Sequence, residues 1–262
     1  MYQLKNEHHS PEMSQTLFKY LLLLADNPLI LGHRLSELCG HGPNLETDIA
    51  LTNISLDLFG QVRNYLQYAV EISGEGKKED DLAFLRYEHE YRNVVLVEQP
   101  NHNFAWVVAR QFLFDAYHLP LLQQLSNSKD NQISAIANKS VKEVQYHHHF
   151  SAEWVKRLGD GTEESHQKMQ DAINHFWPYA GELFEETDIE KEMKELGIGA
   201  DLQIVQAHFK SFTNDVILQA TLKLPETTWS HSGGKKGIHS EHLGFILAEL
   251  QYMQRAYPNM TW

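Results

Sequence analysis

Residues 49–61 read IALTNISLDLFGQ, and Asp57 is the only charged residue between Asp48 and Arg63. This segment lies in a proline-free window, residues 44–99, where apolar residues recur at spacings of three and four. Such a window favours a helix, because proline inside a helix removes a hydrogen bond and clashes with the preceding turn. A helix with so few charges must be enclosed, since charged side chains normally stay in water. The segment therefore predicts a buried member of a helix bundle.

The same helical pattern continues through the rest of the chain. Its eight prolines leave three further long windows free, and strand-like alternation is sustained nowhere. Short stretches rich in Gly, Ser, Asn and Asp separate the helical segments and supply residues that cap helices. The pattern predicts an all-α fold, a ferritin-like four-helix bundle core with accessory helices. The predicted helices lie near residues 14–39 (broken or kinked at Pro28), 46–73, 81–98, 103–126, 131–158, 163–186, 189–196, 201–222 and 240–256.

Composition and charge narrow the class of protein. The 262 residues include 22 Lys+Arg and 35 Asp+Glu, which gives a net charge of −13. This acidic balance argues against nucleic-acid binding, which needs dense Lys and Arg surfaces. A hydrophobic content of 42% is enough for a sizeable core. We expect a single domain over residues 1–262, with residues 1–12 as a flexible N-terminal tail.

Cysteine usage and the N-terminus predict a cytoplasmic protein. The lone Cys39 cannot form an internal disulfide, and the polar N-terminus lacks the apolar core of a signal peptide. The longest apolar stretch is far shorter than the roughly 18 residues that a membrane span needs. We therefore expect no transmembrane segment.

Four carboxylates lie on four successive predicted helices: Asp57, Glu88, Asp115 and Glu143. Di-metal carboxylate bundles place one Glu on each of two helices and a Glu-x-x-His pair on each of the other two. A spacing of three residues puts both ligands of such a pair on one helix face. The order of the four carboxylates matches this scheme.

The histidines of that scheme are missing or displaced. Tyr91 and Tyr146 stand three residues after Glu88 and Glu143, where the scheme requires histidine. His118 follows Asp115, which is the wrong carboxylate for the standard arrangement, and His147 comes four residues after Glu143. The sequence therefore predicts a degenerate di-metal site that holds no metal.

Structural interpretations of the same carboxylates remain open. Glu88 could form a surface ion pair with Arg92, and Glu143 could form one with Lys139. Asp57 and Asp115 could be buried, hydrogen-bonded carboxylates. For Asp115, the sequence offers Arg110 or a neighbouring helix as the partner.

Two further histidine patterns are weak metal candidates. In the run His147-His148-His149, consecutive side chains point about 100° apart on a helix and cannot all reach one ion. Glu163 and His166 have the Glu-x-x-His spacing, but acidic residues are expected at a helix start for capping and dipole reasons.

The segment SGGKKGIHS, residues 232–240, directly precedes the last predicted helix. Glycines that allow close backbone approach, Lys235, Lys236 and a following helix N-terminus are typical of an anion site. A flexible solvated loop is the alternative.

Five segments resemble the C subunits of bacterial ring-1,2-phenylacetyl-CoA epoxidases, and the resemblance extends from about residue 14 onward. The segments are LTNISLDLFGQVRN (51–64), LVEQPNHNFA (96–105), RQFLFDAYH (110–118), SGGKKGIHSEHLG (232–244) and LAELQYMQR (247–255).

The resemblance implies a structural ferritin-like subunit that pairs with a homologous catalytic A subunit. The A subunit would carry the di-iron centre, and the complex would epoxidise the ring of phenylacetyl-CoA during phenylacetate catabolism. This chain would then need no cofactor of its own. Alone, it would form a homo-oligomer, specifically a dimer. Lys235 and Lys236 would contact the anionic CoA or the partner subunit.

Two rival functions remain open. The chain could itself be a di-metal oxidase with noncanonical ligand spacing, using Asp57, Glu88, Asp115, His118, Glu143 and His147. It could also be a ferritin-like metal store, although storage requires many carboxylates around one cavity and the sequence identifies no such set.

Overall fold

A computed structural model describes residues 11–226, 229–258 and 260. These residues form α-helices and short 3-10 segments, and the described part contains no strand. The helices are α1 Pro11–Ser36, α2 Leu45–Ser73, α3 Glu79–Phe84, α4 Phe104–Leu125, α5 Asn131–Gly159, α6 Glu163–Phe176, α7 Asp188–Glu195, α8 Leu202–Gln219, α9 Glu241–Leu250 and α10 Tyr252–Ala256. The 3-10 segments are Glu88–Glu90, Val95–Glu98, Trp177–Phe184 and Gly234–Lys236. The predicted all-α class is confirmed.

The core is a bundle of the four long helices α1, α2, α4 and α5. α1 packs along α2, α4 packs along α5, and α2 contacts α5 across the bundle. α6 and α8 pack against α4, and α7 packs against α1. This core contains the buried aliphatic and aromatic side chains that the low-charge segments supply.

Local sequence explains where the long helices begin. Asn44, Asn103 and Asp130 are N-cap residues whose side chains accept hydrogen bonds from backbone N–H groups in the first turn. α1 continues through Pro28, so the predicted break there is wrong. A kink at that position stays a prediction.

The predicted helix over residues 81–98 is wrong beyond α3. Side chains from elsewhere in the chain capture the backbone N–H groups that a helix would use. The N–H of Arg92 donates to Asp26, and that of Val94 donates to Asn27. The N–H of Val95 donates to Glu182. The bundle therefore takes its fourth long helix from α1 and not from residues 81–98.

Glu98 links this irregular segment to the C-terminal part of the chain. Its carboxylate is fully buried and lies 2.6 Å from His239 Nδ1. It also accepts hydrogen bonds from the backbone N–H and the hydroxyl of Ser240. Two segments that are 141 residues apart in sequence are thus joined by one buried side chain.

Two other predicted helices are divided. The helix predicted over residues 163–186 is α-helical only to Phe176 and continues as the 3-10 segment to Phe184. Pro178 explains this change, because it has no N–H to continue the α-helical ladder. The helix predicted over residues 240–256 consists of α9 and α10.

The predicted flexible tail falls mostly on residues 1–10, which lie outside the described residues. Residues 11 and 12 already belong to α1. Among the helices that the structure describes, none is both long enough and apolar enough to cross a membrane.

A candidate site in the bundle core

A buried polar layer lies between α2, α4 and α5. Within each helix its members are three or four residues apart, so they share the face turned toward the other two helices. The layer consists of Asp57 and Gln61 from α2, Gln111, Asp115 and His118 from α4, and Glu143, His147 and Ser151 from α5. Five of the eight predicted site residues belong to it.

Two contacts join α2 to α5 within the polar layer. His147 Nε2 lies 3.0 Å from Asp57 Oδ2, and the His147 side chain is fully buried while that of Asp57 is 37% exposed. One turn away, Gln61 Nε2 donates to Glu143 Oε2 at 3.3 Å. The layer therefore reaches from solvent at Asp57 into the bundle core.

Asp115 is the most deeply buried carboxylate of the layer. It accepts hydrogen bonds from Gln111 Nε2 at 2.7 Å and from Ser151 Oγ at 2.8 Å. Burial raises the pKa of Asp115 to about 7, although His147 and the two hydrogen bonds act in the opposite direction. Asp115 is thus a hydrogen-bonded core carboxylate, as one of the two interpretations of the sequence expected.

Arg110 is not the partner of Asp115. Its guanidinium is fully buried and binds the carbonyl of Gln99 and Oδ1 of Asn101 instead. The partners of Asp115 are neutral, and Ser151 comes from the neighbouring helix α5.

His118 lies in the core beside Asp115 and packs against the ring of Phe114. Burial lowers the pKa of His118 to about 3, and the nearby His147 acts in the same direction. The imidazole is therefore neutral at physiological pH. Its Nδ1 is buried and has no hydrogen-bond partner among the residues that the structure describes.

The titration of Asp115 predicts a pH-dependent effect of Asp115→Asn. The folded-state pKa is raised above the unfolded value of about 3.9, so the stability contribution of this carboxyl is present below pH 3.9 and is lost as pH rises through about 7. Asparagine does not titrate. Relative to the unchanged protein, the variant should gain more than about 1 kcal/mol between pH 4.5 and pH 8 in urea unfolding.

The matched control for that measurement is Asp171→Asn, because Asp171 is exposed on α6. Its difference from the unchanged protein should stay constant between the two pH values. An Asp115→Asn difference that is equally constant would show that Asp115 titrates normally.

Three predicted site residues lie outside the polar layer. Glu88 lies in a 3-10 turn beside α9, where it lines an open surface groove. Tyr91 is buried, donates its hydroxyl proton to the carbonyl of Ala83 and accepts from Gln251. Tyr146 is about half exposed on α5. The structure does not bring Glu88, Tyr91 and Tyr146 together with the other five residues. Residues 86–98 form no core helix, and Tyr146 is exposed on α5.

The surface ion pairs that the sequence suggested are not formed among the described residues. Arg92 donates to the carbonyls of His89 and Tyr91 and does not pair with Glu88. Glu143 contacts Gln61 and makes no ion pair with Lys139.

α1 replaces the predicted third helix but supplies no free carboxylate. Its one buried carboxylate, Asp26, is held by the guanidinium of Arg86 and the N–H of Arg92. In the part of the chain that the structure describes, no three His, Cys, Asp or Glu side chains are arranged to hold a metal ion. The arrangement of carboxylates and imidazoles in the polar layer therefore does not fit a di-metal centre.

The other histidine patterns also diverge in space. His147 points into the polar layer, His148 stacks on Phe212 with ring centroids 3.7 Å apart, and His149 is exposed. His166 contacts the carbonyl of Gly159, while Glu163 is exposed at the start of α6.

Lys235 is buried, so its side chain does not reach the surface at which the predicted contact with CoA or a partner would lie. Its Nζ lies 2.8 Å from Glu190 Oε1 and also donates to the carbonyls of Leu183 and Glu185. The N–H groups of Gly233 and Lys235 donate to Glu182. The positive charge and the backbone donors of this loop are thus used by carboxylates of the same chain. Lys236 remains exposed.

Sequence reasoning missed a surface, which we call the α2–α5 face: Leu45, Ile49, Leu56 and Gly60 of α2 with Tyr146 of α5. The three aliphatic side chains are more than half exposed. Beside them, a groove of about 280 Å³ runs between α2 and α5. A Cβ atom at Gly60 would meet no described atom within 4 Å. The signal for this surface was the scarcity of charge in α2, which predicted complete burial instead.

The family model described as "Phenylacetic acid catabolic protein" matches residues 1–262. The chain is also 49% identical over 246 residues to the C subunit of the 1,2-phenylacetyl-CoA epoxidase of Escherichia coli (strain K12). That alignment covers 94% of this chain and 99% of the relative.

Proposed function

We propose that this chain, which belongs to the phenylacetic acid catabolic protein family, is a structural, non-catalytic subunit of a multicomponent oxygenase. The oxygenase would epoxidise the ring of phenylacetyl-CoA, and a homologous catalytic A subunit would hold the di-iron centre. The similarity to the C subunit of the Escherichia coli epoxidase supports the assignment to this complex. The polar layer is the observation that carries the non-catalytic role.

The side chains of the polar layer that could bind a metal ion instead contact other side chains of the same layer. His147 and Asp57 contact each other, Asp115 is held by Gln111 and Ser151, and Glu143 contacts Gln61. A di-metal carboxylate centre needs carboxylates from all four core helices. α1 supplies none, because Asp26 is paired with Arg86.

The first test is the metal content of the purified chain. We expect well below one equivalent of iron or manganese after a chelator wash, because carboxylates without a converging imidazole set hold such cations weakly. The catalytic partner, purified and washed in parallel, is the control. About two tightly held iron ions with an oxo-bridged absorption spectrum would support instead a di-metal oxidase formed by this chain itself.

The α2–α5 face supports pairing with a homologous helix bundle. Leu45, Ile49 and Leu56 form an apolar stripe on the solvent side of α2, and such stripes are typical of protein interfaces. Glycine inside a helix costs about 1 kcal/mol relative to alanine. Within the described part of the chain, a Cβ atom at Gly60 would have free space, so intramolecular packing does not explain the glycine. A partner helix that approaches closely at Gly60 would explain it.

The pairing test uses one charge introduced on this face. Leu56→Glu places a carboxylate in the apolar stripe, where assembly would bury it unpaired. We expect at least about a 100-fold loss of affinity for the A subunit, equivalent to about 2.7 kcal/mol. Co-purification and sedimentation of the mixed subunits measure it.

The matched control is Leu218→Glu on α8, where the leucine is 79% exposed and lies away from this face. It should assemble like the unchanged chain. Normal assembly of Leu56→Glu would place the partner elsewhere.

We also propose that the chain alone forms a dimer through the α2–α5 face, so Leu56→Glu should sediment as a monomer and Leu218→Glu as a dimer.

A further inference from the structure

A small, largely enclosed cavity lies where α1, α2 and α4 meet. Its volume is about 20 Å³, and it is lined by Leu24 and Pro28 of α1, Tyr65 of α2 and His118 of α4. The buried pair Lys235–Glu190 also lines it. A cavity needs roughly 10–15 Å³ to hold one water molecule. This cavity is therefore large enough for one water and too small for most other ligands.

Two of the residues that line the cavity each have a buried polar atom with no hydrogen-bond partner among the described residues. These atoms are the hydroxyl oxygen of Tyr65 and Nδ1 of His118. The two side chains are 1% and 3% exposed, so bulk water does not satisfy them. Buried polar groups are almost always hydrogen-bonded, to the protein or to an ordered water.

Because of Pro28, a third polar group, in another residue that lines the cavity, lacks its regular hydrogen bond. In a regular α-helix, the N–H of residue 28 would donate to the carbonyl of Leu24, but proline has no N–H. α1 nevertheless continues through Pro28. Because both Leu24 and Pro28 line the cavity, the carbonyl without its regular donor belongs to a lining residue.

We propose that one ordered water molecule occupies this cavity and binds Tyr65, His118 and the carbonyl of Leu24. The Tyr65 hydroxyl donates to the water oxygen, and the two water protons go to the Leu24 carbonyl and to the unprotonated ring nitrogen of His118. These three partners match the number that buried waters typically have. The water thus replaces the missing helix hydrogen bond at Pro28 and links α1 to α2 and α4.

The neutral state of His118 is consistent with this arrangement. Burial lowers the pKa of the imidazole to about 3, so one ring nitrogen is an acceptor at neutral pH. This site is independent of the oxygenase assignment, because it rests only on the packing of the core.

Crystal structures of the full chain test the proposal directly. In the unchanged protein, we expect one solvent peak within about 3.2 Å of the Tyr65 hydroxyl and of a His118 ring nitrogen. The double variant Tyr65→Phe/His118→Leu should lack that peak. Tyr68→Phe is the matched control, because Tyr68 lies one turn further along α2 and donates to Asp130 outside the cavity. It should keep the peak.

Oxygen-17 magnetic relaxation dispersion gives a second readout in solution. The double variant should contain one long-lived internal water fewer than the unchanged protein and Tyr68→Phe. An empty cavity in the unchanged protein would overturn the proposal. This outcome does not depend on whether the double variant folds. An equal number of long-lived waters in all three proteins would overturn it as well.

Discussion

Arg86→Leu is expected to lower the free energy of unfolding by about 3–5 kcal/mol. Arg86 and Asp26 form a buried ion pair with two contacts, one of them between Arg86 Nη1 and Asp26 Oδ2 at 2.9 Å. The Asp26 side chain is fully buried, so removal of Arg86 leaves its charge without a counter-ion, and among the described residues only the N–H of Arg92 still donates to it. Urea unfolding monitored by circular dichroism measures the loss.

The control for this prediction is Arg63→Leu. Arg63 is exposed, and its Nε lies 3.9 Å from Glu79, so the change should cost at most about 1 kcal/mol. The double variant Asp26→Leu/Arg86→Leu should recover part of the loss, since it removes both buried charges. If Arg86→Leu costs no more than Arg63→Leu, Asp26 does not depend on Arg86.

Lys235→Met should also cost about 3–5 kcal/mol, whereas Lys236→Met should change the free energy of unfolding by less than about 0.5 kcal/mol. The two lysines are adjacent, but only Lys235 is buried and paired, with its Nζ on Glu190. Lys235→Met leaves the carboxylate of Glu190 buried without its cationic partner. Thermal and urea unfolding of the isolated chain measure both variants.

This pair of variants also separates a structural role from a role in ligand contact. A contact with CoA or a partner would leave the isolated chain equally stable in both variants. Equal stability would therefore contradict the buried position of Lys235.

The long helices could be predicted because their signals are local. Asn44 and Asp130 cap α2 and α5, and the absence of proline and the apolar spacing extend each helix for 29 residues. The polar layer could be predicted in part for the same reason. Asp57 is the only charged residue between Asp48 and Arg63, and Asp115 shares its apolar helix with only one other charged residue, Arg110. An isolated charge in such a helix needs a partner.

The irregular segment after α3 could not be predicted from local sequence. Its residues have ordinary helix propensity, but Asp26, Asn27 and Glu182 bind its backbone from more than 60 residues away. These long-range hydrogen bonds outweigh propensity, which is only a weak prior. Because a helix was predicted here, Glu88 and Tyr91 were also predicted to lie in the core site, which they do not reach.

The role of Lys235 was hidden for the same reason. A loop with three glycines and two lysines indicates an anion site when it is read alone. The glycine at position 234 is needed for close packing and not for anion binding, because a Cβ atom there would lie 2.2 Å from the carbonyl oxygen of Asn93. The acidic partners Glu182 and Glu190 lie 53 and 45 residues before Lys235 in the chain.

The buried contact between Glu98 and residues 239–240 has a consequence for the order of folding. During synthesis, the ribosome releases residue 98 long before His239 and Ser240. Contacts of such high sequence separation form late, because the loop-closure entropy must be overcome first. The bundle helices can pair while synthesis continues, but the segment from Arg86 to Glu98 cannot reach its final conformation until the C-terminal part of the chain has arrived. Residues made late in synthesis therefore complete a structure that begins near the first third of the chain.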